Sequence, residues 1–459
     1  MSRTPRVLAG WTALVALCAL RGGVPVAAPA VRAPTTLLAA GGGGPDAEII
    51  HATLGTAPPT GSECEAAFRV DCYSPAQIRT AYDMAPLYAA GLDGAGRTIA
   101  VVDSFGSPTI RADLASFDAA FGLPAPPSLR IITPDGHVPP FNPANQQMDG
   151  WAVETTLDVE WAHVMAPGAG ILLVETPVSE TIGLHGIPQM VAAENYVVDH
   201  HLADVISQSW GTAEISFPSK AALLRERTAF INAAAHHVTV LAAAGDAGPT
   251  SPRNASATLF YARRAANWPA TDPLVTAVGG LRLYLSPTGE RVAPDSVWND
   301  SRPGRVAAGA GGLSTVFGRP AWQAKIAAVA GAHRAIPDVS LSAALSGAEL
   351  VFASFPGTTP GFYPVGGTSA ATPLFAGIVA IADQKAGHDL GLLNPTLYAL
   401  AAHHAAGIRD VTHGDNTVRF AQGGREVTVQ GWAARPGYDL ASGLGTVDGT
   451  DLVAELAAP

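Results

Sequence analysis

Charge is scarce in this 459-residue chain. Asp, Glu, Lys and Arg make up 14% of it, against 48% hydrophobic residues. A chain this poor in charge and this rich in apolar side chains buries a core and is not a disordered tail. Basic residues are the scarcer sign. The 27 Lys and Arg against 38 Asp and Glu give a formal net charge of -11. That balance argues against nucleic acid or an anionic membrane surface as partner. It suits work in acid, where carboxylates take up protons. Cysteine is nearly missing: Cys18, Cys64 and Cys72 are all there is. No CxxC or HExxH spacing occurs downstream of them, so a zinc site is not expected. Neither an internal repeat nor a C-terminal anchor is expected from the pattern. The apolar stretch Val7 to Leu20 is short for a membrane span.

What is present at the N-terminus reads as an export signal. Arg3 and Arg6 precede that stretch, and the small residues Ala27, Ala28 and Ala30 follow it. Residues 1–33 are therefore expected to be a signal peptide, with an N-terminal anchor as the alternative, and the protein to be secreted. Leu17 before Cys18 is too large for a lipid-attachment site. Cys64 and Cys72 then remain, and their close spacing in an exported chain suggests a local disulfide, with two unpaired thiols as the alternative. Residues 34–73, with Gly41 to Gly44 and several prolines, read as a linker and N-terminal arm. Order is expected to begin near Ser74, a cap for a helix running into Tyr82. Residues 74–459 read as one large domain, taken to be monomeric.

Within it, strands and helices alternate. Thr98 to Asp103, Ile171 to Val174, Val205 to Gly211 and Val238 to Asp246 read as strands. Helical stretches such as Pro188 to His200 and Lys220 to His236 separate them. Leu281 to Val292 reads as a β-hairpin about Ser286-Pro287-Thr288-Gly289. Strands of this kind imply an α/β fold of three layers, α/β/α, around a central, mostly parallel sheet. Ligands bind such sheets beyond the carboxyl ends of the strands. Asp103 and Asp246 both fall at such ends.

Three places can carry chemistry. Trp151 to Val164 reads as a helix with Asp149 as a possible N-cap and Leu157, Trp161 and Val164 as its apolar stripe. Glu154 and Asp158 stand at i and i+4 and share one face. They form either a proton-sharing carboxyl pair or a solvated acidic face. Ser369, in Gly366-Gly367-Thr368-Ser369-Ala370, opens a helix running to about Lys385. It is either a nucleophile near a helix N-terminus or an ordinary cap. Asp246, in Gly245-Asp246-Ala247-Gly248, is in isolation a turn aspartate.

Taken in order, these segments resemble the sedolisins, the serine-carboxyl peptidases of subtilisin-like fold. The resemblance runs from about Ser74 to the C-terminus. It includes Glu154 to Ala169, Ser207-Gln208-Ser209-Trp210-Gly211, Ala243 to Gly248 and Trp268 to Gly280. Gly311-Gly312-Leu313-Ser314, Pro337-Asp338-Val339-Ser340, Gly366 to Ala370 and Asn394 to Tyr398 complete it. The resemblance implies an endopeptidase acting on proteins or peptides through an acyl-enzyme. Ser369 would be its nucleophile, Glu154 its general base, Asp158 the residue that orients Glu154, and Asp246 a donor to the oxyanion. It also implies one structural Ca²⁺ held by Asp410 and Asp439 through carboxylates and by Val411, Arg435 and Gly437 through carbonyls, an oxygen shell that suits the ion. At Arg435 the family often has glycine.

The implied roles require acid. A glutamate of pKa about 4.3 accepts a proton where a histidine is already charged. Asp246 donates only when protonated. One departure stands out: sedolisins carry a long prosegment, whereas only residues 34–73 separate the expected signal from the expected domain. That leaves autoactivation by a removable inhibitor domain open, with folding without one, use of a partner, or a truncated chain as the alternatives. Two rival readings are a neutral subtilisin-like peptidase and a catalytically silent binding protein on the same fold. Against the first, no His-Gly-Thr-His motif exists, and His163 falls too late in its helix to serve as base.

Overall fold

Two apolar cores separated by a sheet organise the chain in a computed structural model, which describes residues 48–458. The expected signal peptide and the first part of the arm lie outside the described residues. The sheet has eight strands. From one edge it runs Ser296–Val297, Thr276–Arg282, Thr239–Ala243, Val205–Gln208, Thr98–Ser104, Gly170–Thr176 and Leu129–Ile132. Val339–Ser342 also pairs with Thr276–Arg282. All pairings are parallel except that of Ser296–Val297.

Side chains alternate across a strand, so each one feeds both cores. Ile99, Val101, Ile171 and Leu173 join one core with Leu157, Trp161 and Phe375. Ala100, Val102, Leu172 and Val174 join the other with Val191, Val198 and Phe230. Burial on both faces is what makes these strands continuously apolar. The three-layer α/β/α reading of the sequence is what the structure shows.

Two helices matter for the site. The carboxylate helix is Gln146–Met165 and the serine helix is Thr368–Ala386. The first starts earlier than the sequence suggested, because Asn145 rather than Asp149 caps it, accepting from Gln147 N at 3.0 Å. The two helices pack backbone to backbone at Gly377. A Cβ added there would lie 2.4 Å from Met165 Cβ and 3.2 Å from Ala162 O. Only glycine permits this approach, which sets how near the carboxyls come to the serine turn. The stretch expected as one helix over 220–236 is two, Lys220–Arg225 and Thr228–Ala235. The expected hairpin is present as a bridge between Leu285 and Arg291 closed by Ser286 N to Glu290 O at 2.8 Å.

Order begins before Ser74, contrary to the sequence reading of an unpatterned arm. Gly61–Phe68 is a helix with a capping box from Thr60 and Glu63. Glu48–Ile49 and Asp71–Tyr73 form the outer strands of a four-stranded sheet, flanking Gly361–Gly366 and Gly347–Ala353. Cys64 and Cys72 are disulfide-bonded, with Cα atoms 6.0 Å apart. The arm gains its order from pairing with strands far away in sequence. No local periodicity records that.

Candidate active site

The carboxylate helix has no wet face. Every residue from Trp151 to Met165 is buried. Large side chains on all sides of it, among them Trp151, Leu157, Val159 and Trp161, pack into both cores. Glu154 and Asp158 are each 0% exposed. The solvated acidic face that spacing alone allowed is therefore ruled out. Asp103, at the end of the strand Thr98–Ser104, is also 0% exposed and lies close enough to act electrostatically on Asp158.

Three carboxyls thus share one dry site. Burial pushes Asp158 well above the usual carboxylate range, and the charges of Asp103 and Glu154 push it further. The Ser209 hydroxyl acts the other way. Burial raises Asp103 to about 7, opposed by the Thr155 hydroxyl. Burial and these neighbours therefore favour the protonated form of Asp158.

Ser209 follows the strand Val205–Gln208. Its hydroxyl donates to Asp158 Oδ1 at 3.0 Å and lies 3.4 Å from the carbonyl oxygen of Ser369. This links the carboxylate helix to the turn that carries the serine. That turn is set by Gly367, which occupies the helix N-cap position with a φ of 124°. Ser369 is 0% exposed, and its hydroxyl makes no hydrogen bond among the described residues.

Asp246 meets the same turn from the other side. It follows the strand Thr239–Ala243. Its Oδ1 accepts from both Thr368 N and Thr368 Oγ1, each at 2.8 Å, and Gly245 N donates to that hydroxyl at 3.0 Å. Asp158, through Ser209, and Asp246, through Thr368, thus meet the turn that carries Ser369, and Glu154 enters through its charge on Asp158. Thr368 and Ser209 do the gathering, and sequence reasoning gave neither a role. Both sat inside the quoted motifs, beside residues with more obvious chemistry. His163 is turned away, with Nε2 2.8 Å from Pro124 O and 3.3 Å from Asp118 Oδ1.

The residues singled out for a metal also lie together. Asp439 accepts from Arg435 N at 2.9 Å, from Ala441 N at 2.8 Å and from Ser442 N at 2.9 Å. Asp410 accepts from Gly437 N at 2.8 Å. The Ser442 hydroxyl stands 3.1 Å from both Asp439 oxygens and 3.5 Å from Val411 O. Among the described residues no three His, Cys, Asp or Glu side chains are grouped to hold a metal. The two carboxylates and the Val411 carbonyl are oxygen donors, a type that suits a hard cation rather than zinc.

With this geometry in place, comparison with known proteins gives a consistent answer. Residues 147–424 match the subtilase family. Kumamolisin of Bacillus sp. (strain MN-32) is 34% identical over 391 residues, which is 84% of this chain and 63% of the relative. Sedolisin of Pseudomonas sp. (strain 101) is 26% identical over 391 residues, 84% of this chain and 61% of the relative. The chain thus spans less than two thirds of the length of these relatives. A solved structure of Pseudomonas sedolisin, a serine-carboxyl proteinase complexed with pseudo-iodotyrostatin, shares the fold with a TM-score of 0.68 at 25% identity. That match covers 84% of this chain and 98% of the other. The chain belongs to the subtilase family and, within it, to the sedolisins.

Proposed function

We propose that this chain is an acid-acting serine-carboxyl endopeptidase that cleaves peptide bonds through an acyl-enzyme on Ser369. One observation carries the reading. The Ser209 hydroxyl touches both Asp158 and the Ser369 backbone, while Asp246 grips Thr368 next door. Asp158, the nucleophile and the oxyanion donor are thereby tied to one turn, which supports Glu154, four residues before Asp158 on the same helix, as the base.

The chemistry follows from which carboxyls carry protons. Asp158 keeps its proton and donates toward Glu154, so Glu154 is the ionised member and the base. Glu154 takes the Ser369 proton as Oγ attacks the substrate carbonyl. It then returns that proton to the departing amine, and water later resolves the acyl-enzyme by the reverse sequence. Asp246 uses Oδ1 to accept from Thr368, so the proton that makes it a donor belongs on Oδ2. In that state it steadies the oxyanion; ionised, it repels it.

Activity should therefore form a bell in acid, rising as Glu154 ionises and falling as Asp246 does. Asp246→Ala should lower kcat by about 10² to 10³ with KM little changed. Steady-state hydrolysis of a denatured protein across pH checks both. A wild-type optimum at neutral pH would favour the ordinary subtilisin reading. Folded protein inactive at every pH would favour the binding reading.

Asp410, Val411, Arg435, Gly437 and Asp439 would hold a structural Ca²⁺, which when bound would neutralise the two carboxylates and tie their loops together. Calcium at a hundredfold excess over its Kd should add about 2.7 kcal/mol of stability. Chelator should lower Tm in a melt of the purified protein, and indifference to both additions would remove the metal from the scheme. Export is part of the same proposal. The disulfide between Cys64 and Cys72 suits an oxidising compartment. No helix among the described residues is long and apolar enough to cross a membrane.

A further inference from the structure

The carboxyl pair and the serine sit on different helices, so a third element must fix their relation. Ser209 is placed to do it. It is 0% exposed and arrives from the sheet rather than from either helix. A hydroxyl has one proton to give. The 3.0 Å contact to Asp158 Oδ1 takes it, and the 3.4 Å contact to the Ser369 carbonyl is the looser one. Because Oδ1 is engaged as an acceptor, the Asp158 proton belongs on Oδ2.

We infer that Ser209 is a positioning residue: it selects which oxygen of Asp158 carries the proton, and so keeps Glu154 ionised and aligned with Ser369. The inference rests on the peptidase reading above. The groups acting on Asp158 are Glu154 from its own helix, Asp103 from the strand Thr98–Ser104 and Ser209 from the sheet, and the Ser369 backbone meets the far side of Ser209. Asp103 is protonated in acid, with a pKa of about 7, and does not compete as a charge there. Without the Ser209 hydroxyl, Asp158 can place its proton on either oxygen. Glu154 then loses a fixed donor, its ionised form is less favoured, and its pKa rises. A base with a higher pKa ionises later, so the acid limb of the rate profile moves toward neutral.

The test compares wild type, Ser209→Ala, Ser209→Thr and Ser369→Ala in pH–rate profiles on one peptide substrate, with thermal melts alongside. Ser209→Ala should lower kcat roughly ten- to a hundredfold, the scale of a small misplacement of reacting groups. KM should stay within about twofold, and the acid limb should rise by about half a pH unit or more. Ser209→Thr, which keeps the hydroxyl, should restore the limb. If Ser209→Ala does not fold, Ser209→Cys, isosteric but a weak donor, should show the raised limb in its place. An alanine profile that overlays wild type overturns the inference. So does a threonine variant as impaired as alanine, which would mean packing and not donation. Ser369→Ala activity equal to wild type would instead bring down the peptidase reading itself, so the two failures are distinguishable.

Discussion

Ser369→Ala is expected to abolish peptide hydrolysis in acid, with kcat falling by roughly 10⁶, the scale on which removal of a serine nucleophile acts elsewhere. The fold should not suffer. The Ser369 hydroxyl makes no hydrogen bond among the described residues, so its removal strands no partner. The turn itself is held by backbone and by Thr368, through Gly367 N to Ala343 O at 2.6 Å and through Asp246. Melting temperature should stay close to wild type while turnover of a denatured protein at about pH 4 disappears. That pairing of outcomes separates lost chemistry from lost structure. A Ser369→Ala protein that digests as fast as wild type would remove Ser369 from the mechanism.

Stability should fall as pH rises, and by a large amount. Asp103, Asp158, Glu160, Glu194, Glu349 and Asp383 are all 0% exposed. Burial, in each case the largest cause, raises Asp103 to about 7 and both Glu349 and Asp383 to about 8. It lifts Asp158, Glu160 and Glu194 well above the usual range. In the unfolded chain these groups titrate near about 3.9 to 4.3. Between those values and the folded ones, the native state holds more protons than the unfolded state. Stability therefore declines as pH rises through that window. It is greatest below about pH 4 and is progressively lost toward about pH 8. A tenfold difference in a carboxyl's acidity between the folded and unfolded chain corresponds to about 1.4 kcal/mol, so even one such group matters against a net stability of about 5–15 kcal/mol. Denaturant midpoints at about pH 4, 6 and 8 should drop in that order. Glu349→Gln, which cannot ionise, should flatten the decline. A midpoint that climbs toward neutral would contradict the idea that these carboxyls are buried as acids.

Such a decline would confine the fold to the same acid range as the proposed chemistry. Dryness favours the protonated form of Asp158, and the same dryness at the other buried carboxyls is what should make neutral pH costly. Neither effect needs a cationic partner for the carboxyls.

Much of this was legible in residues taken singly or in short runs. The apolar runs about Val101, Leu173 and Ile206 announced a sheet covered on both faces. The i, i+4 spacing put Glu154 and Asp158 on one side of a helix, and Gly366-Gly367-Thr368-Ser369 marked a turn into another. The ordered motifs named the family. These features depend on local propensity and periodicity, whose range is a few residues, and the chain states them without help.

Burial and convergence belong to the tertiary structure. On spacing alone the acidic pair could have faced water. It is dry because the serine helix packs against it at Gly377 and Met165 while the sheet closes the remaining side. The arm about Cys64 and Cys72 looked unpatterned and is ordered by strands near residues 350 and 365. Ser209 lies 51 positions from Asp158 and 160 from Ser369, yet its hydroxyl donates to the first at 3.0 Å and lies 3.4 Å from the carbonyl of the second. Loop closure over such distances leaves no local trace, because the energy that selects it is apolar surface removed from water throughout the core.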